Sequence, residues 1–237
     1  MNMELGFKQG EVLANKYVII SHLGGGWEGE VFKIREKGTQ IDKAAKFFFP
    51  KRNKLDKTAT NYAQKLHKLR NCSILIKYHN CEKIIVNEHQ LTMLISEFAE
   101  GQLLTTYLKK YRGNCLPYYQ GLHLLYALVK GLESIHKLKE YHGDMHADNV
   151  IIERSGPEYK IKLLDLFNHG KCNKIKLQYD IISVIKIFYD SIGGSKKYAK
   201  QPPIVKQICC GLKKTLILKK YKTITHLRIF LESNDWS

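Results

Sequence analysis

The stretch Tyr141–Val150 constrains this chain more than any other part of its sequence. It places Asp144 five residues before Asn149, with histidines on either side of the acid, and β-branched residues follow at once. A second acid, Asp165, stands downstream in an apolar frame. Carboxylate and amide oxygens are ligands for a hard cation such as Mg²⁺, and a further carboxylate can accept a hydroxyl proton. The stretch therefore predicts a site that holds magnesium-phosphate and acts on a hydroxyl group.

Length and composition allow one large domain or two small lobes that share a cleft, because the chain has 237 residues and is 44% hydrophobic. The six cysteines contain no CxxC pair, which favours neither a zinc site nor a disulfide scaffold. Reduced thiols, and hence a cytoplasmic protein, are expected. We expect no signal peptide and no transmembrane segment, since no suitable apolar run is present.

The charge balance is strongly basic, with 39 Lys and Arg against 22 Asp and Glu and a formal net charge of +17. Such a field favours acidic partners, including nucleotides, acidic proteins, nucleic acid and anionic lipid. A solvated, lysine-rich surface is the simpler interpretation. A cationic cluster near the C-terminus could likewise bind an acidic partner or be a solvated surface, and the solvated surface is preferred. Nucleic acid remains an alternative partner that is not favoured. The cluster comprises Lys213, Lys214, Lys219, Lys220, Lys222 and Arg228.

A glycine-rich segment follows a predicted strand at 12–21. Gly24, Gly26 and Gly29 fit the pattern GxGxxG, and Val31 stands two residues further on. In a dinucleotide site this pattern would open a helix. Here the apolar run continues as a strand, which predicts a hairpin tip that lies over phosphates. Taken alone, the pattern is equally typical of a simple turn.

The next predicted strand, 41–49, carries Lys46 in an apolar frame, where an unpaired ammonium group would be costly. Its position one strand after the glycine hairpin favours phosphate binding over a lysine that merely extends to solvent at a sheet edge. A basic helix is predicted at 56–70. No acid occurs between Asp56 and Glu82.

The remaining pattern divides the chain into a β-rich part and a helical part. Further strands are predicted at 74–78, 83–86 and 91–98, after which rising polarity and a glycine indicate a lobe boundary. A small hairpin is predicted from 150–153 and 160–164. Helices are predicted at 118–138, 178–192, 203–214 and 223–233.

Together these motifs resemble the protein-kinase superfamily over nearly the whole chain. The family's glycine loop matches Gly24–Val31 and its ATP-anchoring lysine matches Lys46. The family's hinge resembles the segment Ser96–Gly101. The catalytic loop matches His142–Asn149, and the metal-binding Asp-Phe-Gly matches Asp165–Phe167. Asp180 resembles the family's buried aspartate in a later helix.

The resemblance implies an α+β, two-lobed kinase-like fold that makes 1–237 a single domain. The N-lobe, 13–97, would be an antiparallel sheet with one helix, followed by a hinge at 98–101 and a mostly helical C-lobe at 102–237. The implied cofactors are ATP and Mg²⁺.

The resemblance also implies roles for individual residues. Asp144 would accept or orient the hydroxyl proton, and Asn149 and Asp165 would hold the metal. Lys46 would hold the α- and β-phosphates, and His142 would be structural. The nucleotide would be covered by the glycine tip and bound at its adenine edge by backbone groups of the hinge, through Gly24, Gly25, Gly26, Gly29, Val31, Glu97 and Ala99.

Five departures from the family pattern bear on regulation and substrate. Gly143 replaces an arginine that senses activation-loop phosphorylation in many kinases. His146 replaces a lysine and is similar to the corresponding histidine of aminoglycoside and choline phosphotransferases. The segment from Asp165 to Asp180 is short and lacks Ala-Pro-Glu. The helix at 56–70 offers Lys46 no glutamate, so Asp165 or phosphate alone would pair with it. Leu166-Phe167-Asn168 replaces Phe-Gly, which predicts a less flexible turn.

We therefore expect a small bacterial Ser/Thr protein kinase-like phosphotransferase that acts without loop phosphorylation on a protein substrate, which could be acidic. Two alternatives stay open at this point: a kinase of a hydroxyl-bearing small molecule, and a pseudokinase or scaffold that binds nucleotide or a protein without transfer. The expected location is the cytoplasm, or a host cell into which the protein is delivered as an effector.

Overall fold

The computed structural model describes residues 5–86, 89–156, 158–166 and 170–234. The chain forms two compact units. The first comprises Met1–Arg70 and Leu75–Ala99, and the second comprises Asn71–Ile74 and Glu100–Ser237.

The first unit is built on an antiparallel sheet. In the described residues it has six strands in the order β1-β2-β3-β4-β6-β5. The strands are β1 (Val12–Leu13), β2 (Tyr17–Gly25), β3 (Gly29–Glu36), β4 (Asp42–Phe48), β5 (Tyr78–Val86) and β6 (His89–Glu97). One α-helix of this unit, α1 (Lys57–Lys68), buries Ala59, Tyr62 and Leu66.

Alternation of apolar and polar residues fixes which face of this sheet is buried. Phe32 and Ile34 alternate with half-buried neighbours on β3, and Phe47 is buried on the adjacent strand β4. The rings of Phe32 and Phe47 meet edge to face with 5.6 Å between centroids. Such a pair adds about 0.5–1.5 kcal/mol to the stabilisation from burial. The core of the first unit therefore holds β3 and β4, which carry Val31 and Lys46, in register.

The strand predicted at 74–78 is wrong, because regular pairing starts only at Tyr78. Ile74 is buried in the second unit, where its carbonyl accepts a hydrogen bond of 2.7 Å from the amide of Leu163. The apolar residues at 74 and 75 thus belong to a buried connection. The predicted strands at 83–86 and 91–98 are confirmed as parts of the β5–β6 hairpin.

The second unit is mainly helical. Its helices are α2 (Leu104–Leu108), α3 (Tyr118–Lys137), α4 (Lys174–Ser191), α5 (Gly194–Tyr198), α6 (Pro203–Cys209), α7 (Lys214–Lys220) and α8 (Ile224–Glu232). A small sheet in the order β7-β8-β9 contains β7 (Gln102–Leu103), β8 (Val150–Ser155) and β9 (Glu158–Leu163). The predicted helix at 118–138 and the predicted hairpin at 150–164 are confirmed. Over the described ranges, no helix combines the length and apolar character required to span a bilayer.

Two helix predictions need correction. The predicted helix at 203–214 ends at Cys209, because Cys210 and Gly211 have positive φ values of 50° and 61° and the chain turns into α7. A left-handed pair of residues cannot continue an α-helix. The helix predicted at 178–192 begins earlier, at Lys174, because the Asn173 side chain accepts a 3.0 Å hydrogen bond from the Lys176 amide and caps the N-terminus.

Candidate functional site

A buried carboxylate fixes the backbone of the predicted catalytic loop. Asp180 on α4 has no exposed surface. Its two oxygens accept hydrogen bonds of 2.8 Å from the amides of His142 and Gly143. His136 on α3 lies 3.0 Å from the same carboxylate. Buried charges persist where hydrogen bonds compensate their lost hydration, so Asp180 ties the loop to two helices at once.

Gly143 is required at this point of the loop by its backbone conformation. Its φ of 84° lies in the left-handed region, where a side chain would strain the backbone. Gly143 therefore allows the chain to turn without strain immediately before Asp144.

Hydrogen bonds with His142 and Asn149 hold Asp144 in place. Its amide donates a 3.2 Å hydrogen bond to Nδ1 of the buried His142. Nδ2 of Asn149 donates to the Asp144 carbonyl at 2.9 Å and to Oδ2 at 3.3 Å. The Asp144 side chain nevertheless remains 55% exposed. A carboxylate that is fixed at its base and open at its tip can accept a proton from a bound hydroxyl group.

The β8–β9 hairpin brings the two predicted metal ligands to the same place. Val150 pairs with Leu163, and the amide of Leu164 donates to the Asn149 carbonyl at 2.9 Å. Asp165 is thus the next residue after a direct contact with Asn149. Its φ of 51° is left-handed, a conformation that aspartate tolerates better than most residues.

The donor set fits Mg²⁺. Because Nδ2 of Asn149 faces Asp144, its Oδ1 is the atom that can turn to a cation, and Asp165 adds carboxylate oxygens. Magnesium in nucleotide sites is held by one or two protein oxygens, together with phosphates and water. In residues 5–86, 89–156, 158–166 and 170–234, no group of three or more His, Cys, Asp or Glu side chains forms a metal cage.

His146 lies between two acids. Its Nε2 is 3.7 Å from Asp144 Oδ2, and its Nδ1 is 3.8 Å from Asp148 Oδ2. Asp148 also accepts a 2.8 Å hydrogen bond from the Thr105 hydroxyl. The structure gives Asp148 a role in anchoring the loop to α2.

The turn after Asp165 is only partly described. Phe167 and Asn168, on which the prediction of a less flexible turn depends, lie outside the described residues. Where the description resumes, the Gly170 carbonyl accepts from the hydroxyl of Tyr141 at 3.2 Å. Lys176 donates to the same hydroxyl at 2.9 Å. The start of the catalytic loop is therefore bonded to the segment that leads into α4.

In the first unit, the glycine-rich segment forms the predicted hairpin tip between β2 and β3. The Gly26 amide donates to the Gly29 carbonyl at 2.9 Å. A Cβ atom on Gly29 would lie only 1.8 Å from the carbonyl oxygen of Phe47 on β4. Gly29 thus permits the close approach of two strands, a role that is separate from any contact with phosphate.

Lys46 lies next to an acid from this hairpin tip. Its Nζ donates to Glu28 Oε2 at 3.1 Å, and Val31 is its partner on the adjacent strand. The helix α1 directs the ring of Tyr62 towards it, with Nζ 5.1 Å from the ring centroid. An aromatic face attracts a cation. Lys46 and Asp165 lie in different units, so their expected pairing stays a prediction.

Sequence analysis missed Glu28 as a partner of Lys46. A signal was present, because Glu28 stands at the tip of the hairpin whose second strand pairs with β4.

Glu97, the last residue of β6, is hydrogen-bonded to the connection before β5. Its amide donates to the Lys77 carbonyl at 2.8 Å. The binding of an adenine edge by backbone groups of Glu97 and Ala99 stays a prediction.

The predicted cationic cluster near the C-terminus is partly used inside the protein. Arg228 donates to both carboxylate oxygens of Glu133 at 3.1 Å. Lys220 lies 3.9 Å above the Phe230 ring and donates to the Gln207 carbonyl at 3.1 Å. These contacts favour the simpler interpretation, in which the cluster serves the fold and its remaining lysines are solvated.

Comparison with known proteins places this geometry in a family. Residues 17–207 match the model of the protein kinase domain. The chain belongs to the protein kinase family. The resemblance seen in the sequence is thereby confirmed, as is the α+β fold with a sheet in its N-terminal part and helices in its C-terminal part.

Similar proteins in this family are Ser/Thr protein kinases. The chain is 32% identical over 160 residues to the Ser/Thr protein kinase pakA of Dictyostelium discoideum. The aligned segment covers 68% of this chain and 13% of pakA. The chain is 30% identical over 151 residues to the Ser/Thr protein kinase TIO of Arabidopsis thaliana, covering 63% of this chain and 11% of TIO. The chain thus spans only a small part of the length of these relatives.

Solved structures show the same kinase fold. The kinase domain of PknI from Mycobacterium tuberculosis superposes with a TM-score of 0.67 at 16% identity, covering 96% of this chain and 98% of that one. At this identity the likeness concerns the fold of the kinase domain alone.

Proposed function

We propose that this kinase-family chain is an ATP- and Mg²⁺-dependent phosphotransferase that moves the γ-phosphate to a Ser or Thr hydroxyl of a protein. The observation that carries the proposal is the state of Asp144. Its carboxylate is open to solvent, while Asn149 and the buried Asp180 fix the backbone around it. This is the arrangement expected of a residue that receives a proton from an incoming hydroxyl group.

Each remaining group has a role that suits phosphoryl transfer. Asn149 and Asp165 would hold Mg²⁺, which neutralises phosphate charge when bound. Lys46 would bind the α- and β-phosphates, and the Gly24–Gly29 tip would cover them and exclude water. The Glu97 carbonyl and the Ala99 amide would bind the adenine edge.

Transfer is a better proposal than a pseudokinase or scaffold. The chain keeps the four residues that the kinase pattern requires for transfer, namely Lys46, Asp144, Asn149 and Asp165. The charges and oxygen ligands that the reaction needs are therefore present. The anchoring of the loop by Asp180 also requires no phosphorylated activation segment. We therefore propose a kinase whose catalytic loop is permanently ordered.

Radiolabelled ATP tests the proposal directly. Wild-type protein should incorporate label into itself or an added protein in the presence of Mg²⁺, and Asp144→Ala should lower the rate at least 100-fold, within the usual range for loss of a general base. Glu153→Ala is a matched control, since it removes an exposed acid of the same unit, which pairs with Lys160 at 3.6 Å. Equal labelling of wild type and Asp144→Ala would refute the proposal.

A small-molecule acceptor is the second candidate, favoured by one observation. His146 lies 3.7 Å from Asp144, where the family's Ser/Thr kinases usually carry lysine. A coupled ADP-release assay with casein, choline and an aminoglycoside panel separates the two. Turnover with a small hydroxyl compound and none with protein would overturn the protein acceptor.

The partner and the location are proposals as well. The net charge of +17 suits an acidic protein substrate, and nucleic acid is not favoured. A bacterial origin and a cytoplasmic site, or delivery into a host cell, remain predictions from the sequence.

A further inference from the structure

Cys115 and Lys197 form a close pair that the phosphotransferase proposal does not use. Cys115 lies in the segment before α3 and is buried, whereas Lys197 is an exposed residue of α5. Lys197 Nζ is 2.8 Å from Cys115 Sγ. Ordinary N–H···O bonds have lengths of about 2.9–3.0 Å, and sulfur is a larger atom than oxygen. The separation is therefore short for a nitrogen–sulfur hydrogen bond.

The pair borders an open pocket of about 520 Å³. Its lining includes Cys115, Lys197 and the backbone turn at Gly113. A Cβ atom on Gly113 would lie 3.8 Å from both the sulfur and the nitrogen. Small oxidants can thus approach the two atoms from the pocket, although the rest of the cysteine is buried.

We propose that Cys115 and Lys197 form a reversible covalent bridge in which one oxygen atom joins sulfur to nitrogen. The oxidant is dioxygen. Lys197 reacts as the neutral amine. The Cys115 S–H bond and one Lys197 N–H bond break, and S–O and O–N bonds form. One oxygen atom of dioxygen enters the bridge, and the other leaves as water with the two released hydrogens. Sulfur and nitrogen each lose two electrons, and dioxygen accepts all four.

The chemistry of both side chains fits this step. The first step of cysteine oxidation places one oxygen atom on the sulfur. Here the lysine nitrogen lies 2.8 Å from the sulfur, too far for a direct S–N bond but close enough for one oxygen atom to join the two, so the oxygen on the sulfur meets nitrogen before another thiol arrives.

The bridge would connect segments that are 82 residues apart in sequence. A cross-link over a loop of this length restricts the unfolded chain and raises the stability of the native state. Two equivalents of a dithiol would restore the thiol and amine and release water. The second unit would then have a reduced and a more stable oxidised form.

Mass spectrometry of the full chain, exposed to air and digested without reductant, tests the proposal. We expect a linked pair of peptides that contain Cys115 and Lys197, heavier than their sum by one oxygen and lighter by two hydrogens. It should disappear after dithiothreitol. It should be absent from Cys115→Ser and Lys197→Arg, and present in Lys196→Arg, the matched control on the same helix. The oxidised wild type should also unfold at a temperature several degrees above that of oxidised Cys115→Ser.

Three outcomes would overturn the proposal: Cys115 oxidised without any link to Lys197, a linked pair that lacks the extra oxygen, and an equal melting temperature for oxidised wild type and Cys115→Ser. Cys209 provides an internal standard. Burial raises the pKa of its thiol to about 12, so it should remain unmodified under the same conditions. None of these measurements depends on kinase activity.

Discussion

The Lys46 ammonium group donates to the Glu28 carboxylate at 3.1 Å, so the acid beside this lysine comes from the glycine tip. The helix α1 contributes the aromatic face of Tyr62 to the same lysine. In the proposed mechanism, ATP phosphates and Glu28 both bind the Lys46 ammonium. Glu28 therefore holds the lysine in place before the nucleotide arrives and must yield when the phosphates bind.

Replacing Glu28 by Gln should lower the KM for ATP. The substitution removes a competing negative charge while retaining the shape of the side chain. The side chains of Lys46 and Glu28 are 12% and 30% exposed, and ion pairs at such sites contribute up to about 1 kcal/mol. We expect a decrease in KM of about two- to fivefold, measured by initial rates against ATP concentration.

Glu30→Gln serves as the control, because this neighbouring acid of β3 lies 4.0 Å from His22. Its KM for ATP should stay near the wild-type value. A higher KM for Glu28→Gln than for wild type would mean that Glu28 helps the lysine to bind phosphate, contrary to our expectation.

Asp180→Asn should destabilise the protein and abolish its phosphotransferase activity. An amide has one acceptor oxygen, so its NH₂ group would face one of the two backbone donors from His142 and Gly143. A buried donor left without an acceptor costs about 1–3 kcal/mol, and urea unfolding should show a loss of this size. Asp190→Asn on the same helix is the control. Its exposed pair with Lys186 should contribute less than about 0.5 kcal/mol. Equal stability of both variants would contradict the anchoring role.

Gly29→Ala should weaken the sheet of the first unit. The added methyl group would lie 1.8 Å from the Phe47 carbonyl oxygen, so β3 and β4 must separate. We expect a loss of about 3 kcal/mol, at the upper end of the usual cost of overpacking. Gly38→Ala is the matched control, since nothing lies within 4 Å of its Cβ position, and it should stabilise by about 0.4–1 kcal/mol. Thermal unfolding of both variants measures the difference, and a neutral Gly29→Ala would disprove the close approach.

Asp42 should make stability depend on pH in the acid range. Hydrogen bonds from Arg35 and Lys33 lower its pKa from 3.8 to about 2. Because the folded pKa lies below the unfolded one, the stabilisation is present above about pH 4 and is lost as the pH falls towards 2. The difference in unfolding free energy between wild type and Asp42→Asn should therefore be constant near neutrality and shrink between pH 4 and 2. A difference that does not vary with pH would exclude this origin.

The sequence predicted those parts of the site that are set by local spacing. The spacing from Asp144 to Asn149 fixes their hydrogen bond within one loop. The apolar residues that follow Asn149 and those that precede Asp165 form the β8–β9 hairpin. The helix at 118–138 was predictable because its apolar residues repeat with helical periodicity over several turns.

Other features depend on contacts between distant segments, which no local pattern records. Glu28 reaches Lys46 only through the register of β3 and β4. The apolar residues Ile74 and Leu75 resemble a strand, but burial holds them in an irregular connection. The break after Cys209 arises from left-handed backbone at Cys210, a residue with no strong preference for it.

The buried carboxylate of Asp180 has a practical consequence. It receives the catalytic-loop amides and His136 together, so the loop acquires its shape when α3 and α4 pack. Under the proposed function, no separate activating event enters this assembly. In a purified sample, the specific activity would then count the molecules that have folded, and batches that differ in activity would differ in their fraction of native protein.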